Sequence, residues 1–153
     1  MTKEVLVSIS GLHHEQINGP TNLNESALKV VIPGTYYLKN GKHYVIYDEV
    51  VAGMEGTIRN KIKIQDKSLE IFKSGLTNTH MVFERNQKNW TYYETAFGHM
   101  IVAVNTRKMD VKVTDERIDV SVDYELDVNH EPLADCRIRL NIASKESRDH
   151  LLQ

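Results

Sequence analysis

The chain has one cysteine, Cys136, among its 153 residues, so no disulfide can form within it. A reducing compartment suits such a chain. No apolar run approaches the roughly 18 residues of a membrane-spanning helix. The start, Met1-Thr2-Lys3-Glu4-Val5-Leu6-Val7-Ser8, has no long apolar run after its lysine and does not read as a secretion signal. A soluble cytoplasmic protein is the expectation. Net charge is only −2, so no general attraction to nucleic acid or to an anionic membrane follows. Catalytic signatures are also missing: there is no nucleophile elbow, phosphate loop, CxxC pair or dinucleotide fingerprint. No linker or low-complexity tract divides the chain, and no stretch before Ala143 has the apolar spacing of an amphipathic helix.

What the chain does have is alternation. Ile118, Val120, Val122, Tyr124, Leu126 and Val128 alternate with Asp119, Ser121, Asp123, Glu125 and Asp127. After His130-Glu131-Pro132, Ala134, Cys136, Ile138, Leu140 and Ile142 alternate with Asp135, Arg137, Arg139 and Asn141. Period two means strands with one dry and one wet face. The wet face is acidic on the first strand and basic on the second, which favours their pairing as a long antiparallel hairpin.

Weaker alternation recurs at Val5–Ile9 and Leu28–Ile32, and Pro33-Gly34 suggests a bulge or bend after it. Asn40-Gly41 suits a type I′ turn, whose two central residues need positive φ. That turn pairs Lys39 with Lys42, Leu38 with His43, Tyr37 with Tyr44 and Tyr36 with Val45. Tyr36, Leu38, His43, Val45, Tyr47 and Glu49 then share the interior face, because the other face carries Lys39, Lys42 and Asp48. A tight turn at Asp66-Lys67 pairs Ile64 with Leu69, Ile62 with Ile71, Asn60 with Lys73 and, on the outside, Lys63 with Glu70. Further strands are expected at His80–Arg85, Trp90–Thr95, Met100–Thr106 and Met109–Val113. The sum is an all-β chain: a single antiparallel up-and-down barrel of about 8 to 10 strands over residues 1–143. A loop at Gln16–Glu25 and a tail at residues 144–153, a short helix or a frayed end, complete it.

Parity also turns some charges inward. Glu49 follows Tyr47, Lys73 follows Leu69 and Ile71, and Arg85 follows Met81 and Phe83 on their dry rows. An unpaired ion is costly in an apolar interior, so inward acid and base should meet each other or reach water. Aromatics gather at Tyr36-Tyr37, Tyr44, Tyr47, Trp90, Tyr92-Tyr93 and Phe97, either as core or as a pocket lining. The candidate ligand-binding set is Tyr47, Glu49, Lys73, Arg85, Tyr93 and Thr95. The seven histidines show no metal-ligand spacing, and the neighbours His13 and His14 would point to opposite faces of a strand. No metal and no cofactor is expected.

Several segments in order resemble the YwiB-like proteins of Gram-positive bacteria, a family of unknown function. They are Gly34-Thr35-Tyr36-Tyr37-Leu38-Lys39, Tyr44-Val45-Ile46-Tyr47-Asp48-Glu49, Lys61-Ile62-Lys63-Ile64, Lys73-Ser74-Gly75, Met81 with Phe83, and Tyr93-Glu94-Thr95-Ala96-Phe97-Gly98. The resemblance spans about residues 30 to 142 and implies a calycin-like (lipocalin-like) β-barrel. It implies no reaction. Lys73 stands where the family usually has arginine, and Ala96 where it often has proline. Lysine keeps the charge but lacks the bidentate fork.

Three functions are compatible with these residues. The first is a barrel that binds a small polar or anionic molecule in its interior. The second is an interaction or scaffold protein acting through its outer face, where Tyr37 and Tyr44 would be exposed. The third is an acid/base enzyme using Glu49, with Lys73 or Tyr47 nearby.

Overall fold

The computed structural model describes residues 2–11, 29–50, 52–75, 78–95 and 98–145, with side chains for all of these except 2, 29, 30 and 93–95. The expected loop at Gln16–Glu25, His13, His14, Ala96, Phe97 and most of the tail lie outside the described residues.

The strands are β1 (Thr2–Ser10), β2 (Lys29–Lys39), β3 (Lys42–Val50), β4 (Thr57–Ile64), β5 (Ser68–Gly75), β6 (Thr79–Glu84), β7 (Lys88–Thr95), β8 (Gly98–Val113), β9 (Arg117–Val128) and β10 (Glu131–Ser144). They form one antiparallel sheet in the order β6-β5-β4-β3-β2-β1-β10-β9-β8-β7. Sequence neighbours therefore pair, except β6 and β7, and β1 with β10 joins the two halves. The sheet curls into a nearly closed barrel whose seam lies between β6 and β7. At the seam the turn after β6 is tied to β8: Asn86 N donates to Thr106 O (2.9 Å) and Thr106 N to Gln87 O (3.0 Å).

Both tight turns pair as their residues dictate. Asn40 and Gly41 adopt φ of 52° and 75°, and Lys39 faces Lys42. In the next hairpin Ile64 faces Leu69, Asn60 faces Lys73 and Lys63 faces Glu70. The Lys63 ammonium lies 3.3 Å from the Glu70 carboxylate on the outer face. Pro33-Gly34 does not break the ladder: β2 stays in continuous register with β1 as Leu6 faces Pro33 and Val5 faces Gly34. Only the pairing to β3 waits until Thr35. A Cβ at Gly34 would lie 2.9 Å from Ile46 O and 3.4 Å from Tyr47 Cβ. The glycine thus makes room for β3 to cross close beneath it, seating Tyr47 in the core.

The expected strands at Met100–Thr106 and Met109–Val113 are one strand, β8, with a bulge at Arg107. Thr106 faces Tyr124 inside, Lys108 faces Asp123 outside and Met109 faces Val122 inside. The extra residue lets a polar pair, Arg107-Lys108, stay outside without turning the following row around. Arg107 in turn bonds Glu125 and lies 3.2 Å from Asp135.

The interior is one apolar cluster drawn from both halves of the sheet. Phe83 meets Tyr124 edge-on across it, with ring centroids 5.0 Å apart. Val7, Val45, Ile62, Ile64, Leu69, Phe83, Val122 and Ile138 are 0% exposed, so none of them borders a space that admits water. The middle layers of the barrel are packed solid there. Ion pairs line the outer face, as with Arg59 on Asp48 (3.1 Å) and Arg137 on Asp123 (2.7 Å). Among the described residues no helix is long and apolar enough to cross a membrane.

Candidate functional site

An up-and-down barrel sends every second connection to the same end. The Asn40-Gly41 turn, the Asp66-Lys67 turn and the turn after β6 share the near end. Strands β1, β3, β5, β7 and β9 finish at the far end. Glu49 lies near the far end of β3 and Lys73 near that of β5, with β4 between them.

Cross-strand register sets Tyr47, Asn60 and Lys73 on one rung. Glu49, Ile58 and Gly75 form the next rung outward. All of these positions share the parity of the buried row, so their side chains converge. Lys73 Nζ donates to Glu49 Oε1 at 2.9 Å. Asn60 Nδ2 donates to the same oxygen at 2.6 Å. The side chains of Lys73 and Glu49 are 19% and 24% exposed, so the pair sits at a wet mouth rather than in the deep interior. Beneath them Asn60 is 0% and Tyr47 4% exposed. Burial, and then the nearby Glu49 charge, push the Tyr47 phenol far above its usual pKa. It is neutral at any physiological pH.

Asn60 is the least satisfied group in this set. Its Nδ2 faces two acceptors, Glu49 Oε1 and Ile58 O (3.5 Å), which fixes the orientation of the amide. Its Oδ1 is then buried without a donor among the described residues. A buried acceptor left so costs about 1–3 kcal/mol.

Glu49 and Lys73, expected to meet, do meet, with Tyr47 beside them. Arg85 does not join them. It follows the end of β6, in an exposed turn at the near end, and its guanidinium bonds the Met109 carbonyl. Lys73 faces Thr79 at the start of β6, so Arg85 lies about six residues, or ~20 Å of strand, away. Parity alone cannot see that separation, because it gives the face and not the end. The side chains of Tyr93 and Thr95 are outside the described set; their backbone, facing Met100 and Gly98, is at the far end. Asn60 was visible in the sequence as the residue facing Lys73, but a neutral amide in a dry row carries no charge to draw attention to it.

Residues 12–140 match the family described as a domain of unknown function, DUF1934. The chain belongs to this family. It is similar to the uncharacterized β-barrel protein YwiB of Bacillus subtilis, strain 168, at 21% identity over 108 residues, 71% of this chain and 75% of the relative. The crystal structure of the B. subtilis protein superimposes with a TM-score of 0.73 at 14% identity, covering 94% of this chain and 92% of that one. At that identity the likeness establishes the shared barrel fold and leaves the site to be argued from its own residues.

Proposed function

We propose that this protein is a binding barrel that receives a small polar molecule at its far-end mouth. Glu49, Lys73 and Asn60 would hold it, above a floor of Tyr47. The observation that carries this reading is the Glu49–Lys73 pair, an acid and a base on the buried row whose side chains are 24% and 19% exposed at the mouth. A ligand hydroxyl or amine would face Glu49, which Asn60 holds from beneath, while an anionic or carbonyl group on the same ligand would face Lys73. The packed middle layers confine the ligand to the mouth. A cytoplasmic setting suits the lone Cys136, whose thiol burial holds above its ordinary pKa and so keeps unreactive.

The test is a thermal-shift screen of small polar and anionic compounds, followed by titration calorimetry on each hit. Binding should fall at least tenfold in Lys73→Met and Glu49→Gln and stay unchanged in Arg85→Gln. Hits that bind all three variants equally would remove the reading.

A second reading has its own observation. Trp90 and Tyr92, alternate residues of the seam strand β7, are 56% and 69% exposed. Such aromatics suit a protein partner. Tyr37 and Tyr44 favour it less, because they stack on each other at 4.9 Å with Lys61 over Tyr44. Light scattering during gel filtration of the wild type and of Trp90→Ser would separate the readings if the partner is a second copy. An acid/base role for Glu49 ranks last, since the acceptor oxygen it presents is already engaged by both Asn60 and Lys73.

A further inference from the structure

On the outer face, away from the mouth, an open groove of about 830 Å³ runs across β1, β10, β9 and β8. The pairing arranges its floor in two rungs. Ser10, Arg139, Ser121 and Asp110 form one; Ser8, Asn141, Asp119 and Lys112 form the other. All have outward parity, since Val7, Ile9, Val120 and Leu140 between them are core.

Arg139 breaks the charge pattern of its strand. Arg137, two residues away, faces Asp123 and grips it with Nε at 2.7 Å and Nη2 at 3.4 Å. Arg139 faces Ser121 on one side and Ser10 on the other. The carboxylates diagonal to it are already engaged: Asp123 by Arg137, and Asp119 by Asn141 Nδ2 (2.6 Å) and Arg117 (3.5 Å). Sheet surfaces gain when opposite charges sit across from one another, as they do one rung over. Arg139 is instead flanked by hydroxyls, which can donate toward the same point as the guanidinium.

Ser8 adds an independent sign. It has the parity of a solvent-facing residue, yet it is only 4% exposed, and its hydroxyl has no partner among the described residues. A buried hydroxyl without a partner is disfavoured unless something else meets it. It lines the same groove. The groove also holds Lys112 and Arg117 against two carboxylates, Asp110 and Asp119, leaving one net positive charge.

We propose that this groove is a binding site for an oxyanion, the phosphate or carboxylate group of a small molecule, with Arg139 at its centre and Ser8, Ser10 and Ser121 as hydroxyl donors. The guanidinium supplies a planar fork that matches either group, and the hydroxyls rotate to suit it. This site is separate from the mouth and does not depend on the function proposed for it.

The experiment is an NMR titration of the full chain, labelled with ¹⁵N, with inorganic phosphate and, in a second arm, acetate. Ionic strength is held constant so that general screening does not change. Saturable shifts at the amides of Ser8, Ser10, Ser121 and Arg139 are expected in at least one arm, and the stronger arm identifies the class of oxyanion. Arg139→Gln should weaken binding on the order of tenfold, since it removes a charge-assisted donor. Arg137→Gln should leave it unchanged. Should Arg139→Gln disturb the fold, Arg139→Lys keeps the charge without the fork and should still bind several-fold more weakly. Ser8→Ala should weaken binding while leaving the melting temperature of the free protein unchanged or higher. The proposal is overturned if neither anion gives saturable shifts at these residues, or if Arg139→Gln or Arg139→Lys with Ser8→Ala bind as the wild type does.

Discussion

At the scale of single residues, the ion pair at the mouth and an outer triad set the main expectations. Lys73→Met takes the ammonium away from the Glu49 carboxylate and leaves Asn60 Nδ2 donating to the same oxygen. The loss should be about 1–2 kcal/mol in urea denaturation, below the 3–5 of a fully buried pair because both groups touch water. Adding Glu49→Gln to it should recover most of that loss, since the uncompensated charge goes too. On the outer face, Glu70 accepts from His80 Nε2 at 2.9 Å and lies 3.3 Å from the Lys63 ammonium. Burial pushes the Glu70 pKa up, but the bonds and charges of His80 and Lys63 together outweigh it and hold the pKa low. A depressed carboxyl pKa stabilises the fold above the unfolded value, near 4.3 for glutamate, and that contribution is lost as pH falls through the folded value. Melting temperatures measured from pH 6 to pH 3 should therefore drop more steeply for the wild type than for Glu70→Gln. A parallel pair of curves would contradict this account.

At the scale of elements, turns and bulges decide register. The Asn40-Gly41 and Asp66-Lys67 hairpins were legible because turn chemistry is local: φ preference and loop length fix which residues face each other. The β9–β10 turn is less well matched. Asn129 and His130 sit at φ of 51° and 70°, and histidine pays for that left-handed conformation where glycine would not. His130→Gly should raise stability by about 0.5 kcal/mol, after the extra entropy of glycine in the unfolded chain is subtracted, as read from the denaturation midpoint. The Arg107 bulge was not legible, because Met100–Thr106 and Met109–Val113 read as two clean runs whose mismatch looks like a turn. Deleting Arg107 would remove the bulge and leave plain alternation, with Thr106 inward, Lys108 outward opposite Asp123 and Met109 inward opposite Val122. Circular dichroism and gel filtration of that deletion should show a folded β chain, less stable by about 1 kcal/mol at most for the lost surface pairs of Arg107 with Glu125 and Asp135.

At the scale of the molecule, stability comes from a core shared by both halves of the sheet. Phe83 on β6 packs edge-on against Tyr124 on β9, and the two strands lie far apart in the sheet order. Phe83→Ala should cost about 3–5 kcal/mol, because no space nearby admits water and the cavity cannot fill. Curvature also decided the site. Glu49 and Lys73 were found from parity, since β3, β4 and β5 are consecutive and their registers are local. Arg85 shares that parity but belongs to the other end, and only strand direction and length reveal it. Ser8 is likewise buried on the outer face, where alternation alone would make it a solvent residue.

Alternation and turn chemistry, both local properties, determined the all-β class, the hairpin registers and the pairing of Glu49 with Lys73. Tertiary structure alone decided the seam at β6 and β7, the unsatisfied Asn60 oxygen beneath the mouth, and the hydroxyl-flanked Arg139 in its outer groove. Period two tells which side of a sheet a residue faces; closing the sheet determines what waits for it there.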